Sequence, residues 1–576
     1  MRKYQAISQT WDKLSKLLTK EHKKKYYAMI VLSLLSALLE VVGVSILLHT
    51  ILSILKPEFI QHNVLTSFLY HRLGVTDNRT FVLVITSLLF VIYVLKNTIL
   101  VQMNKRQVKL AFSITDHISG ERYKQVMNQN LAYFKRRPSA DIINELIAST
   151  FSFAESILIA SVVFLSELTV VVLLLGGILF YKPFLFLFTF FSLIPSAFLL
   201  IYINRKKLAR EGREVHELAG KVYTNVSEVT AGIANIKLWN GSAYFHKRFE
   251  RMKASLYEHK ASIYVKSNYM PIRIYEVIAI TGILCVVLYG ILGDKGISSI
   301  ISYISIYAGV SFRLLPSINR VIATSNSLST NSHILDFLVQ EESDEDSVKD
   351  EPVVFEKHIE LSGIHFGYTH EQQILENINL KISKGDFIGI VGNSGSGKST
   401  LVNILASLLY QTEGRLLVDG IPLRSSQENQ YRYLFSYVKQ DVFMTNDTIL
   451  HNVAFVDESP DLERVLSCLA KVNLTEWIKT LSDGIYTPVG ELGNQVSGGQ
   501  RQRIAIARAL YKDAEIFIFD EVTNNLDTDS RQQTLKAIEI LKETGKTAIF
   551  ITHKEDELKM CNHVYSLEEN SLIEVK

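Results

Sequence analysis

Long apolar stretches dominate the chain before residue 325. A helix needs roughly 20 apolar residues to cross a bilayer, and six stretches come close to or exceed that length. They lie at residues 26–55, 81–103, 157–181, 183–204, 274–292 and 297–319. The last third of the chain alternates short apolar runs with polar segments, as soluble α/β domains do. The pattern predicts an all-α membrane domain of six helices followed by a soluble α/β domain.

Two long polar stretches interrupt the apolar ones, between the second and third and between the fourth and fifth. They are rich in Lys, Arg and Glu and poor in Pro and Gly, which predicts helical extensions rather than disordered loops. Their excess of Lys and Arg places them, and both termini, in the cytosol.

Changes in composition indicate where the segments end. A basic lead precedes the first apolar run, which is too long for the core of a cleaved signal peptide. An acidic polar stretch before the soluble part is typical of a linker. The predicted divisions are a cytoplasmic lead at 1–25, the six-helix domain at 26–338, the linker at 339–352 and the soluble domain at 353–576.

Overall composition excludes little for these 576 residues. The net charge of +3 comes from both signs spread along the chain, and we expect no nucleic-acid partner. Cys285, Cys468 and Cys561 lie far apart, which predicts neither a disulfide framework nor a cysteine metal site.

A phosphate-binding loop follows the apolar run that starts at Ile388. Its residues are Gly392, Asn393, Ser394, Gly395, Ser396, Gly397, Lys398, Ser399 and Thr400. In such loops the backbone N–H groups surround the phosphates of a nucleotide. Lys398 would reach the β- and γ-phosphates, and Ser399 would bind Mg²⁺. The loop predicts that ATP and Mg²⁺ bind here.

Two acids follow a second apolar run, Ile516 to Phe519. Asp520 would orient the Mg²⁺ shell, and Glu521 would activate the attacking water. The order of phosphate loop and acids predicts an ATP hydrolase.

A third motif consists of Ser497, Gly498, Gly499 and Gln500, which open a predicted helix. Two glycines, a hydroxyl and a helix N-terminus together favour a bound phosphate. The motif resembles the signature of ATP-binding cassette (ABC) ATPases.

This resemblance implies roles for five more residues. Tyr368 would stack on adenine, Gln440 would sense Mg²⁺ or the attacking water, and His553 would contact the γ-phosphate. Asp527 matches the D-loop, although Asn524 and Asn525 stand where Ser-Ala is more usual. Residues 554–557, Lys-Glu-Asp-Glu, also depart from the common Arg-Leu-Ser. Glu491 resembles the X-loop of exporters, which relays motion to the membrane domain.

The resemblance also implies an architecture. It is the exporter fold (type I, also called type IV), in which two half-transporters dimerise head to tail. Ser497 to Gln500 of one subunit would close over ATP held by Lys398 of the other. Because Glu521 and the signature are intact, a homodimer is favoured over a heterodimer with one inactive site.

Charged residues occur within the predicted spans, where the bilayer makes them costly. The acids are Glu40, Glu167 and Glu276, and the bases are Lys96, Arg273, Arg313 and Arg320. One hypothesis is a basic path for an anionic lipid headgroup from the inner leaflet. The alternative is the positive-inside rule with snorkelling side chains.

The segments around Glu40, Glu167, Arg273 and Arg320 look like those of bacterial lipid-linked oligosaccharide flippases of the PglK/Wzk type. That family has a short external helix after the first span, which would lie near 58–73 here. The resemblance implies ATP-driven flipping of a polyprenyl-pyrophosphate-linked oligosaccharide, an anionic glycolipid, to the outer leaflet of the bacterial inner membrane. Alternatives are a multidrug or lipid A-type exporter of the same fold, or an ATP-gated channel.

Overall fold

A computed structural model of the chain divides into two units. The structure describes residues 12–55, 70, 78–181, 183–293, 297–339, 352–369, 372–524 and 526–576. One unit comprises Met1–Gln129 and Arg137–Glu341, and the other comprises Asn130–Arg136 and Glu342–Lys576. The predicted external helix near 58–73 lies outside the described residues except for Tyr70, as does most of the predicted linker.

The described part of the first unit is helical. Six of its helices, numbered along the chain, are α1 (Lys20–Leu55), α2 (Asn78–Met127), α3 (Ala160–Tyr181), α4 (Pro183–Ala231), α5 (Met270–Leu292) and α6 (Ile297–Thr330). The other helical segments are Ser139–Ile143, Asn144–Ser149, Thr150–Phe153, Ala154–Ile159, Ile233–Leu238, Ser242–Tyr264, Val265–Tyr269 and His333–Leu338.

Several of these helices are much longer than a bilayer requires. Helix α2 has 50 residues and α4 has 49, so both continue into the polar stretches that follow their apolar parts. Five helical stretches of the described chain could cross a membrane by length and composition: Lys20–Ile51, Arg79–Met127, Ser139–Phe180, Phe186–Ala231 and Ser242–Leu292. The sixth predicted span, 297–319, lies in α6, outside those five.

Helix α3 is central to the packing of the first unit. It contacts α1, α4 and α6, and α6 also contacts α4 and α5. Val170 and Leu174 of α3 and Leu314 and Ile318 of α6 are buried in one apolar core. Each pair is four residues apart, which puts both members on one face of their helix.

The second unit contains two sheets. The strands are β1 (His358–Thr369), β2 (Gln372–Ser383), β3 (Phe387–Val391), β4 (Glu413–Val418), β5 (Ile421–Pro422), β6 (Phe435–Val438), β7 (Ile516–Asp520), β8 (Thr547–Ile551), β9 (His563–Glu568) and β10 (Ser571–Glu574). A four-stranded antiparallel sheet has the order β2-β1-β4-β5. A six-stranded sheet has the order β10-β9-β3-β8-β7-β6 and is parallel except for β10.

The second unit also contains α-helices. Three of them are α7 (Lys398–Leu405), α8 (Gly498–Lys512) and α9 (Thr528–Glu543). The others are Leu131–Arg136, Glu428–Tyr433, Ile449–Val453, Leu462–Lys471, Thr475–Lys479 and Glu555–Lys559. Apolar cores cover the sheet on both faces, which explains why β3, β7 and β8 are nearly continuous apolar runs.

Arg508 on α8 holds the segment Phe443–Phe455 against that helix. Its guanidinium donates to the carbonyl oxygens of Asn452 (2.7 Å) and Phe443 (2.9 Å) and to Asn452 Oδ1 (3.1 Å). It also lies 4.7 Å from the ring centre of Phe455. Burial lowers the pKa of Arg508 to about 10, so the side chain stays charged at neutral pH.

We expect Arg508→Met to destabilise the ATP-binding unit, because it leaves these acceptors unsatisfied. The free energy of unfolding should fall by about 3 kcal/mol, which lowers the melting temperature by about 6–12 °C for a domain of this size. Thermal melting of the full chain in detergent measures it. The control is Lys536→Met on the exposed face of α9. Equal melting temperatures for the two variants would contradict the anchoring role.

Candidate functional site

The phosphate loop joins β3 to α7 and needs its glycines. Gly392, Gly395 and Gly397 have φ angles of 146°, 84° and 102°, a region that other residues rarely adopt. A Cβ on Gly397 would also lie 2.8 Å from the side chain of Ile374. The loop therefore presents backbone N–H groups and the N-terminus of α7 to an anion, which fits the phosphates of ATP.

Lys398 is the cation of this loop. Its ammonium donates to the carbonyl oxygens of Gly392 (2.6 Å) and Asn393 (2.8 Å). Burial lowers its pKa, while the nearby carboxylates of Glu521 and Asp520 raise it. The predicted phosphate ligand and the two predicted acids thus share one electrostatic environment.

Asp520 ends β7 beside the loop. Its Oδ2 accepts a hydrogen bond from Tyr437 (3.0 Å) and lies 3.4 Å from the Ser399 hydroxyl oxygen. Burial raises the pKa of this carboxyl, and the Tyr437 hydrogen bond opposes that effect. Together with Gln440, these oxygens are the hard ligands that Mg²⁺ prefers. Tyr437 was not predicted as a site residue, although it lies three residues before Gln440.

Glu521 sits at a strained position. Its φ is 50°, in the left-handed region, and its N–H donates to the carbonyl oxygen of Ile551 (2.9 Å). Its Oε2 accepts from the side-chain amides of Gln440 (2.8 Å) and Asn524 (2.7 Å). The structure therefore brings together Gln440 and Glu521, which were predicted separately. Asn524 was noticed only as a departure from the common pattern.

His553 and Asp527 lie in the segments that follow the neighbouring strands β8 and β7. His553 is exposed and comes two residues after the end of β8. The Asp527 carboxylate caps α9, where it accepts from the Ser530 N–H (2.8 Å). This bond gives Asp527 a local structural role in addition to the predicted one.

The signature residues form the start of α8. The Ser497 hydroxyl oxygen accepts from the Gln500 N–H (3.2 Å), and the Gln500 side chain accepts from the Ser497 N–H (2.8 Å). This reciprocal cap uses two N–H groups and orders the first turn. Gly498 and Gly499 lie in the first turn of α8, where backbone N–H groups have no intrahelical acceptor and can bind an anion. Glu491 lies on an exposed turn nearby in sequence, Glu491–Gly493.

Tyr368 lies at the end of β1 beside the short helix Leu131–Arg136. Lys135 donates to the Tyr368 hydroxyl (2.9 Å), and its ammonium is 5.0 Å from the ring centre. Arg136 donates to the Tyr368 carbonyl oxygen (3.0 Å). Sequence reasoning missed both bases, because more than two hundred positions separate them from Tyr368.

A second constellation lies in the first unit. Glu40, Lys96, Glu167, Arg313 and Arg320, here called the charge cluster, connect α1, α2, α3 and α6. Lys96 pairs with Glu40 (3.1 Å), and Arg320 pairs with Glu167 (2.7 Å). Arg313 bridges the two acids, 3.6 Å from Glu40 and 3.5 Å from Glu167.

Lys96 reaches Glu40 because a glycine leaves room for it. A Cβ on Gly43 would lie 3.0 Å from the Lys96 ammonium. Tyr93 contributes a ring centre 4.5 Å from that ammonium and donates its hydroxyl to the Gly43 carbonyl oxygen (3.0 Å).

Most of the charge cluster is buried. The side chains of Glu167 and Arg313 are 6% and 13% exposed, whereas that of Arg320 is 60% exposed. Glu40, Glu167, Arg313 and Arg320 line a cavity of about 360 Å³. Its other polar lining residues are Ser33, Ser36, Asn97, Asn104, Gln107 and Ser166. With three bases and two acids, the cluster has one positive charge in excess.

Arg273 is not part of this cluster. It pairs with Glu276 (2.8 Å) one turn along α5, and both side chains are exposed. The four bases considered from sequence therefore divide into three that share a site and one that does not.

Comparison with known proteins agrees with this architecture. The family described as "ABC transporter transmembrane region" matches residues 17–312, and the one described as "ABC transporter" matches residues 375–524. An "ATP-dependent lipid A-core flippase" of Burkholderia orbicola is 28% identical over 458 residues, 79% of this chain and 77% of the relative. One of Saccharophagus degradans is 30% identical over 378 residues, 65% and 64% of the two chains.

Among solved structures, a bacterial Atm1-family ABC exporter with ATP bound has a similar fold. The TM-score is 0.76 at 18% identity, and the match covers 96% of this chain and 94% of that one. The predicted fold class is confirmed, because a helical exporter domain is joined to an α/β ATPase domain. The chain therefore belongs to the ABC transporter family, as an ATP-hydrolysing half-transporter of the exporter type.

Proposed function

We propose that this chain is an ATP-driven flippase for a phosphate-bearing glycolipid of lipid A type. It would move the lipid from the inner to the outer leaflet of the bacterial inner membrane, with the ATPase domain in the cytosol. The charge cluster carries this proposal, since it places Arg313 and Arg320 on a polar cavity among the predicted spans. The names of the lipid A-core flippases that the chain resembles support the cargo.

The chemistry of the cluster suits a phosphate. Guanidinium groups bind phosphate oxygens through paired N–H donors, and such charged hydrogen bonds are the stronger kind. Arg320 is partly exposed while Arg313 is buried, so an anion entering the cavity would meet Arg320 first. Lys96 adds a further positive charge to the cluster, because it pairs with Glu40, the carboxylate that Arg313 also contacts.

The ATPase residues have separate roles in this proposal. Lys398 and the loop bind the phosphates of ATP, and Tyr368 stacks on its adenine. Glu521 accepts a proton from the attacking water, and His553 contacts the γ-phosphate. Ser399, Gln440 and Asp520 hold Mg²⁺, which neutralises phosphate charge when it is bound.

We also propose that two copies form the active transporter. Ser497, Gly498, Gly499, Gln500 and Asp527 of one copy would complete the ATP site of the other. Closure of the two sites would drive alternating access of the membrane domains, and Glu491 would relay that motion.

A polyprenyl-pyrophosphate-linked oligosaccharide is the second candidate cargo. One observation favours it: Arg313 and Arg320 converge on a single carboxylate, that of Glu167. Such a site fits one contiguous anionic group, and a pyrophosphate is such a group.

We expect Glu521→Gln to bind ATP but to hydrolyse it about 10²- to 10⁴-fold more slowly, because the amide cannot accept the proton of the water. ATPase rates and binding of a fluorescent ATP analogue measure the two effects. The matched control is Glu539→Gln on the exposed face of α9, which should hydrolyse ATP normally. Unaltered turnover in Glu521→Gln would refute the assignment.

Proteoliposomes distinguish the cargoes. Flipping of a lipid A-type glycolipid, of a polyprenyl-pyrophosphate oligosaccharide and of a cationic dye is followed with membrane-impermeant reagents. We expect ATP-dependent movement of the lipid A-type glycolipid. Movement of the pyrophosphate lipid alone would favour the second candidate, and movement of the dye alone would refute both.

We expect the double substitution Arg313→Ala, Arg320→Ala to slow glycolipid flipping by about tenfold or more, because charged hydrogen bonds to the phosphate are lost. The control is Arg248→Ala, which removes an exposed base paired with Glu228 outside the cluster. Normal flipping by the double variant would exclude the cluster as the headgroup site.

A further inference from the structure

The carboxylate of Glu521 is held from one side. Both of its side-chain hydrogen bonds in the described structure end on Oε2, from Gln440 (2.8 Å) and Asn524 (2.7 Å). A carboxylate with one oxygen engaged by two donors keeps the other oxygen for a further proton. In hydrolysis, Oε1 would take a proton from the attacking water. The water oxygen would bond to the γ-phosphorus, and the bond between the γ-phosphorus and the bridging oxygen would break, releasing ADP.

The residue before Asn524 is fixed by a separate set of contacts. Thr523 is buried, and its hydroxyl donates to the buried carboxylate of Glu557. Lys554 donates to the Thr523 carbonyl oxygen (3.0 Å) and to its hydroxyl oxygen (3.0 Å). The backbone that carries Asn524 is therefore tied to the segment that follows His553.

That segment is itself fastened to α9. Asp556 pairs with Arg531 at 2.7 Å, and the short helix Glu555–Lys559 carries both Asp556 and Glu557. Two departures from the common ABC pattern, Asn524 and the residues after His553, thus meet at Thr523. Both departures are therefore connected through Thr523.

We propose that Asn524 is a positioning residue that orients the Glu521 carboxylate for water activation, and that Lys554 and Glu557 hold Asn524 in place through Thr523. This proposal rests on the proposed role of Glu521. Gln440 has a second proposed task, because its amide oxygen is a candidate Mg²⁺ ligand. Asn524 has no such task, so it maintains the orientation of the carboxylate when Gln440 adjusts to the metal.

Kinetics of full-length variants test the role of Asn524. Asn524→Ala removes the donor, and Asn524→Asp keeps the shape but opposes Oε2 with a second acceptor. We expect kcat for ATP to fall about tenfold in Asn524→Ala and further in Asn524→Asp, since small misplacements of a catalytic group lower rates strongly. KM and the affinity for a fluorescent ATP analogue should stay within about twofold, because the bond does not involve the nucleotide.

Combination with Glu521→Gln separates this proposal from the one on which it rests. If Glu521→Gln turns over normally, the role of Glu521 fails. If Glu521→Gln is strongly slowed, its residual rate should change by less than about twofold on adding Asn524→Ala, because the two residues act as a unit. An independent further loss of about tenfold would instead overturn the positioning role.

Lys554 variants test the tether. Lys554→Ala should lower kcat about threefold. Lys554→Arg should keep most of the wild-type kcat, because its longer side chain can still donate to Thr523. The loss should disappear in the Asn524→Ala background. Asn429→Ala serves as the control, since Asn429 is exposed and accepts a hydrogen bond from Arg432 within the helix Glu428–Tyr433, away from Thr523 in sequence. A kcat within about twofold of wild type in both Asn524 variants, or a loss explained by weaker ATP binding, overturns the proposal.

Discussion

The ATPase site depends on the parallel pairing of β3, β8 and β7. Ile390 pairs with Ile551, and Asp520 pairs with the same residue from the other side. Beyond the strands, the Glu521 N–H donates to the Ile551 carbonyl oxygen and the Thr552 N–H to that of Ile390. Because parallel strands end at a common edge, the loops that follow them are held within hydrogen-bonding reach. The phosphate loop, the acids and His553 all begin from this edge.

The parts of the site predicted from sequence are those that the chain encodes locally. Gly392 to Thr400 follows a buried strand directly. Asp520 ends another strand and Glu521 comes next, so strand, loop and chemical groups are contiguous in the sequence. Asn524, Lys554 and Glu557 differ in this respect. Their contacts depend on how the turn after β7 lies against the helix after β8, which no local pattern specifies. The contact between Lys135 and Tyr368 is still harder to predict, because 233 positions separate the two residues in the sequence.

The charge cluster shows the same limit in a helical setting. Helical periodicity predicts that Arg313 and Arg320 share a face, and both do reach Glu167. Periodicity does not give the rotation of α6 relative to α1, α2 and α5. It therefore could not show that Lys96 and Glu40 join the cluster, whereas the pairing of Arg273 with Glu276, three residues away on α5, is the kind that helical spacing does give.

Pairing changes what binding at this cluster would require. Isolated charges in a low-dielectric interior are strongly unfavourable, and ion pairs offset only part of the desolvation cost. In this cluster Arg313 already shares two carboxylates, so an entering phosphate would exchange one anionic partner for another instead of desolvating a free arginine. The excess of one positive charge favours the exchange, and the Glu167 carboxylate opposes it. Affinity for an anion would then be moderate, which suits a carrier that must release its cargo on the other side. A site of unpaired arginines would bind the same headgroup more tightly and release it more slowly.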